Sequence, residues 1–277
     1  MSVEQKFVKV FGERNTGTRA TIRMLAAQPE VRMQAIGESG LRQQAGNADL
    51  SQKIEMTYIG KWRKIYRDAL RDNEHAEACP TKAWKHSLPE WNEAFVQKQA
   101  HVIFCVRNPY SWALSLAKHP YHQQGPRTIN TKTFLSQPWL TLARDNMLPL
   151  LRSPLELWNG KCAAYLEFVK RDLVPTHVIK FEEFVAAPES EVQRALLSFD
   201  VPFTEVRQLP FSTKSKNRTL REIAAFYREE SWKDALTEEV VRIINRWIDW
   251  DVAAEFGYNQ LNPKDFARGA KKITLKN

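Results

Sequence analysis

Residues Phe7 to Leu25 read FVKVFGERNTGTRATIRML, and three kinds of local structure follow one another in them. FVKVF is a short β-branched and aromatic run, which predicts a strand. A turn opened by Gly12 follows, and the apolar spacing of TRATIRML predicts a helix beginning near Thr18. A helix N-terminus offers unpaired N–H groups and the positive end of a dipole, so this strand, turn and helix can hold a phosphate-type anion. Gly17 lets backbone approach the ligand, and Thr16 and Thr18 add hydroxyl donors. The dipole is worth only about 0.3–1 kcal/mol, so positive side chains are needed as well, and Arg14 is in place. A nucleoside-triphosphate loop would read GxxxxGK[ST]. Gly12 and Gly17 keep its gap, but Thr18 and Arg19 stand where it has Lys and Ser or Thr.

The same alternation recurs further along. His101–Val106 (HVIFCV) and Thr176–Phe181 (THVIKF) predict two more strands, the first followed by RNP and the helical YSWALSLAKH. A fourth strand is expected near Lys82–Trp84. Strands alternating with helices predict one α/β domain over residues 1–277, a three-layer sandwich with a central parallel sheet and ligands at the strands' carboxyl ends. Helices are expected over Ile54–Arg71, from Pro89, over Leu155–Arg171 and over Thr237–Asp249, the last capped by Thr237. An irregular insertion is expected at about residues 120–154, and a basic tail at the C-terminus.

The 277 residues, 43% hydrophobic, carry enough apolar surface for a core and exclude disorder as the main state. Apolar runs are too short for a membrane span, which needs roughly 18 residues. The start lacks the pattern of a secretory signal, so the protein is expected in the cytosol. Cys79, Cys105 and Cys162 show neither disulfide nor zinc spacing, and Cys105 reads as a core residue. Lys and Arg number 41 against 32 Asp and Glu, a net +9. Such an excess points to an anionic partner: nucleic acid, a membrane surface or a polyanionic small molecule.

Two further segments carry basic chemistry. In VIFCVRNPYSWALSL, Arg107 ends a buried strand, Asn108 suits an N-cap and Pro109 the first helical position. Ser111 and Ser115 share a helix side, because four residues advance roughly 400°. Arg107 and Ser115 can therefore grip one phosphate from two directions. In PFSTKSKNRTLRE, Lys214, Lys216 and Arg218 alternate with Ser215 and Asn217 ahead of a helix capped by Thr219.

Taken in order, the three segments resemble the signatures of sulfotransferases that use 3′-phosphoadenosine 5′-phosphosulfate (PAPS). GERNTGT resembles that family's 5′-phosphosulfate loop, which implies that Arg14, Asn15, Thr16, Gly17 and Thr18 contact the donor. RNPYSWALS resembles its 3′-phosphate motif, an Arg followed eight residues later by a Ser, which implies Arg107 and Ser115. KSKNR resembles the C-terminal loop that closes on the nucleotide in the glycan branch, which implies Lys216, Asn217 and Arg218. The resemblance implies a P-loop-like fold, PAPS as co-substrate, no metal, and a hydroxyl acceptor, a saccharide or another small molecule. The family commonly places its cation directly before Ser/Thr-Gly-Thr. Here Asn15 holds that position, and Arg14 or Lys85 is left to supply the charge.

Sulfuryl transfer needs a base for the acceptor proton and positive charge at the reacting oxygens. His86, in a segment resembling the family's Lys-x-His-Leu-Pro, suits the base, with Lys85 beside it. Glu13 and Glu38 are the carboxylate alternatives. His119 and His122 have a His-x-x-His spacing with no carboxylate to complete a metal site. Trp62, Trp84, Trp91 and Trp139 are candidates for sugar stacking, whereas Trp112, Trp158 and Trp247 read as core. Two rivals remain: a nucleotide or small-molecule kinase, which would need Mg²⁺ and ATP, and a nucleic-acid-binding protein, whose binding would be salt-sensitive and indifferent to Ser115.

Overall fold

The computed structural model describes residues 5–33, 45–78, 84–91, 93–97, 99–123, 130–205 and 219–268. Strand β1 (Lys6–Gly12) leads into helix α1 (Thr18–Leu25) and strand β2 (Val31–Met33). Helices α2 (Ala45–Thr57), α3 (Gly60–Ala78) and α4 (Ala94–Gln97) precede strand β3 (His101–Val106) and helix α5 (Pro109–Lys118). Helix α6 (Thr131–Ser136), the two-residue strands β4 (Trp139–Leu140) and β5 (Leu150–Leu151), and helix α7 (Leu155–Arg171) follow. The chain continues through β6 (Thr176–Lys180), α8 (Phe181–Ala186), α9 (Pro188–Leu197), α10 (Leu220–Arg228), α11 (Glu238–Trp247) and α12 (Trp250–Glu255).

The main sheet has the order β2-β1-β3-β6, and every pair in it is parallel. Strand β3 is buried at all six positions, as a central parallel strand covered on both faces should be. Its side chains alternate between two cores. Val102, Phe104 and Val106 join one with residues of α5, α7 and α11, while Ile103 and Cys105 join the other with residues of α1, α8 and α9. The result is a helix–sheet–helix sandwich, the α/β architecture expected. Among the described residues no helix is long and apolar enough to cross a membrane.

Several local expectations need correction. The fourth strand is Val31–Met33. Trp84 lies in coil, and residues 82–83 fall outside the described set. The helix expected over 54–71 is two helices, because Gly60 takes a positive φ of 54° between α2 and α3. Residues 88–91 are not helical, and α4 begins at Ala94. The stretch expected to be irregular carries α6 and the β4–β5 pair within it. Trp139 is fully buried, and Trp247 is only half-buried, with Arg152 over its ring. Cys105 is a buried free thiol as expected, and burial pushes it up to about 12.

Candidate active site

The carboxyl ends of β1 and β3 open on a cavity of about 790 Å³. Nine of its lining side chains are Lys or Arg and one, Asp68, is acidic. Volume and charge together suit a nucleotide-sized polyanion.

The β1–α1 loop forms its floor. Gly12 has no room for a side chain, since a Cβ there would lie 2.6 Å from Thr18 Cγ2 and 2.8 Å from Cys105 Cβ. Asn15 (φ 70°) and Gly17 (φ 86°) are both left-handed, which turns the backbone sharply into α1. Gly17 is the N-cap, and no side chain caps the helix. A helix start without a side-chain cap suits an anion. Arg14, Asn15, Gly17 and Thr18 line the cavity. Thr16 does not: its hydroxyl donates inward to the Glu13 carbonyl at 2.7 Å.

Arg107 leaves the end of β3 and is 4% exposed. Asn108 caps α5 through its side chain, with Pro109 in the first turn. The Arg107 guanidinium lies over the Phe181 ring at 4.4 Å and the Tyr227 ring at 5.1 Å. It donates to the Asn15 carbonyl (2.8 Å), Ser111 Oγ (2.9 Å) and Tyr227 Oη (2.8 Å). Ser115 lines the cavity one turn beyond Ser111. Tyr227 and Phe181 escaped sequence reading because they reach Arg107 from α10 and α8, far along the chain. Two buried tryptophans fix the same backbone: Trp112 Nε1 donates to the Arg14 carbonyl (3.0 Å) and Trp158 Nε1 to the Arg107 carbonyl (2.9 Å).

Lys85 and His86 also line the cavity. The Gly12 N–H donates to the Lys85 carbonyl at 2.8 Å, and His86 Nδ1 lies 2.6 Å from the Gly12 carbonyl. A carbonyl can only accept, so Nδ1 carries the proton and Nε2 keeps its lone pair. Burial, then the charges of Arg14 and Lys85, hold the His86 pKa well below its ordinary value. The ring is thus a neutral imidazole at pH 7. Trp84 meets it edge-on at 5.0 Å, with Arg14 and Arg144 over the indole.

Arg14 is more constrained than its sequence position suggests. Nη1 donates to Glu13 Oε1 at 2.9 Å and to Asp145 Oδ1 at 3.1 Å. Burial alone would lower its pKa, but Asp145 and Glu13 outweigh burial and hold the guanidinium charged. The Glu13 carboxylate is buried against Arg14 and Lys161, and Glu13 does not itself line the cavity. Lys216, Asn217, Arg218 and Glu38 lie outside the described residues. Among the described residues no group of three or more His, Cys, Asp or Glu could hold a metal ion. His119 and His122 line the cavity, and His122 Nε2 sits 2.6 Å from the Leu140 carbonyl. Of the four tryptophans proposed for sugar stacking, only Trp84 reaches the cavity; Trp62 is exposed elsewhere and Trp91 packs against the core.

No curated protein matches the chain. Among solved structures, the sulfotransferase domain from the Synechococcus PCC 7002 olefin synthase matches at 14% identity and a TM-score of 0.37, covering 88% of this chain and 95% of that one. The family model described as the sulfotransferase domain matches residues 8–259, from within β1 to beyond α12. The chain therefore belongs to the sulfotransferase domain family, and its cavity is the candidate site of that family's transfer reaction.

Proposed function

We propose that the protein transfers the sulfuryl group of PAPS to a hydroxyl acceptor, releasing adenosine 3′,5′-bisphosphate. One observation carries this reading: a single basic cavity brings together the uncapped start of α1, Arg107 with Ser115, and a neutral His86. These residues fit the donor. Arg107 and Ser115 would hold the 3′-phosphate, and the backbone from Asn15 to Thr18 would hold the 5′ side, with Thr18 adding its hydroxyl. Lys216, Asn217 and Arg218 are assigned to the nucleotide by the sequence resemblance. Phe181, Phe226 and Ile223 line the remaining wall and suit the base. When bound, the donor supplies an activated sulfuryl group on a good leaving group.

The chain's own residues then do three things. His86 Nε2 accepts the proton of the acceptor hydroxyl, because Nδ1 is committed to the Gly12 carbonyl. Lys85, beside it, supplies positive charge at the reacting oxygens. Arg14 is already balanced by Glu13 and Asp145, so its part is to shape the loop rather than to supply free charge. A saccharide hydroxyl is the acceptor class favoured by the Lys216–Arg218 resemblance. The test is release of adenosine 3′,5′-bisphosphate from PAPS over a panel of hydroxyl acceptors. Acceptor-dependent release is expected, and His86→Ala should lose it while keeping bisphosphate affinity. ATP-dependent phosphorylation in its place would overturn the reading.

A further inference from the structure

Four charged side chains lie buried directly behind the donor loop: Glu13 and Arg14 on the loop, Asp145 before β5, and Lys161 inside α7. Asp145 and Lys161 are 0% exposed, and Glu13 and Arg14 are 3% exposed. Lys161 Nζ bonds the Glu13 carboxylate and lies 3.4 Å from Asp145 Oδ1, while Arg14 bridges the same two carboxylates. Two positive and two negative charges make the cluster neutral as a whole. Burial alone would raise the Asp145 pKa, but Arg14 and Lys161 outweigh it and hold the carboxyl well below its ordinary range. Arg14 and Asp145 are therefore ionised at neutral pH.

The cluster is also tied to the segment that carries His86. The Asp145 carbonyl accepts from Leu88 N–H at 2.8 Å, and its carboxylate accepts from Leu142 N–H at 2.9 Å. Residues Lys85 to Leu88 are thus pinned at one end to Gly12 and at the other to Asp145. We propose that this buried cluster positions the donor loop against His86, with Asp145 and Lys161 as its positioning residues. The proposal rests on His86 being the base of the reaction proposed above. It gives α7 and the turn before β5 a part in catalysis although neither Lys161 nor Asp145 lines the cavity.

Charge makes the idea testable in a way that simple packing would not. The charged groups around the His86 ring are Lys85 on its own segment, Arg14 and Glu13 on the loop, Lys161 on α7, and Arg144 and Asp145 on the facing turn. Lys161→Met leaves the cluster net negative, which favours protonated His86. Asp145→Asn leaves it net positive, which disfavours it.

The experiment is an NMR titration of the His86 ring in the full chain, with kcat and KM measured across the same pH range. Lys161→Met should move the titration, and with it the acid limb of kcat, to higher pH. Asp145→Asn should move both to lower pH, and Lys161→Arg should leave them near wild type. Away from the limb, Lys161→Met should cut kcat about tenfold to a hundredfold with little change in acceptor KM, as expected when the reacting groups are misplaced. Should Lys161→Met fail to fold, Asp145→Asn and the near-isosteric Glu13→Gln carry the test alone, both shifting the titration to lower pH. A Lys161→Met shift to lower pH, a shift to higher pH in Asp145→Asn or Glu13→Gln, or no shift in folded variants would overturn the proposal. The ring titration does not depend on turnover. Correct shifts in a protein that releases no bisphosphate from PAPS would sink the proposed reaction while supporting the cluster's control of His86.

Discussion

At the level of single residues, the proposed chemistry turns on His86. Its Nδ1 contact with the Gly12 carbonyl fixes the tautomer, and burial beside Arg14 and Lys85 holds its pKa well below the ordinary value near 6.5. A base of this kind is active when neutral and is lost only as pH falls through its lowered pKa. The kcat profile is therefore expected to stay flat from about pH 8 to below about 6.5 before it declines. A decline centred at or above 6.5, measured under saturating substrates, would remove His86 from the role. The residue was legible in the sequence through its Lys-His-x-Leu-Pro setting, and so was Arg107 through its spacing to Ser115. Lys161 was not read, although it lies in the buried stripe of α7, three residues after Trp158 and four before Tyr165. A lysine in such a stripe is a signal in its own right, because a buried ammonium requires a partner. Its partners, Glu13 and Asp145, are 148 and 16 residues away in sequence, and no local pattern joins them.

At the scale of elements, the β1–α1 loop depends on the two glycines that frame it. Gly12→Ala would drive a methyl group into Thr18, Thr16 and Cys105, all within 2.8 Å of the added carbon. Overpacking of this kind costs about 1–3 kcal/mol, so a lowered Tm together with weakened bisphosphate binding is expected. Gly17→Ala adds strain at φ 86° and brings the new carbon to 3.1 Å from Phe181, one of the rings under Arg107. Helix ends were the most legible elements, because their signals are local. Asn108 with Pro109, Thr219 and Thr237 all cap the helices that their positions announced. Thr237→Ala should cost about 1 kcal/mol in urea unfolding. The pieces that escaped were short or set by tertiary contact. Three-residue β2 has too little pattern to mark it, and the break between α2 and α3 hangs on one glycine conformation.

Across the whole molecule, the surplus of basic residues has a location. Nine Lys or Arg line one cavity with a single aspartate, so much of the +9 stands where one small polyanion would sit. Asp72 and Asp68 engage Arg144, and the buried cluster balances Arg14, which leaves the cavity basic but not uniformly so. Stability is coupled to the same site. Breaking a buried ion cluster by removing one partner costs about 3–5 kcal/mol, so Asp145→Asn should lower the unfolding free energy by that order at pH 7. Because the folded-state pKa of Asp145 is depressed, its contribution is present above about pH 4 and is lost as the pH falls further. Wild type and Asp145→Asn should therefore converge in stability in acid urea melts.

The central claim is that the cavity is built for a nucleotide bearing a 3′-phosphate. Isothermal calorimetry with adenosine 3′,5′-bisphosphate, ATP and a random oligonucleotide, on wild type and Arg107→Ala, tests it directly. The account predicts tight binding of the bisphosphate by the wild type, weakened about tenfold to a hundredfold in Arg107→Ala, and weaker binding of the other two ligands. Wild-type protein that ignores the bisphosphate, or binds ATP or the oligonucleotide more tightly, would contradict it.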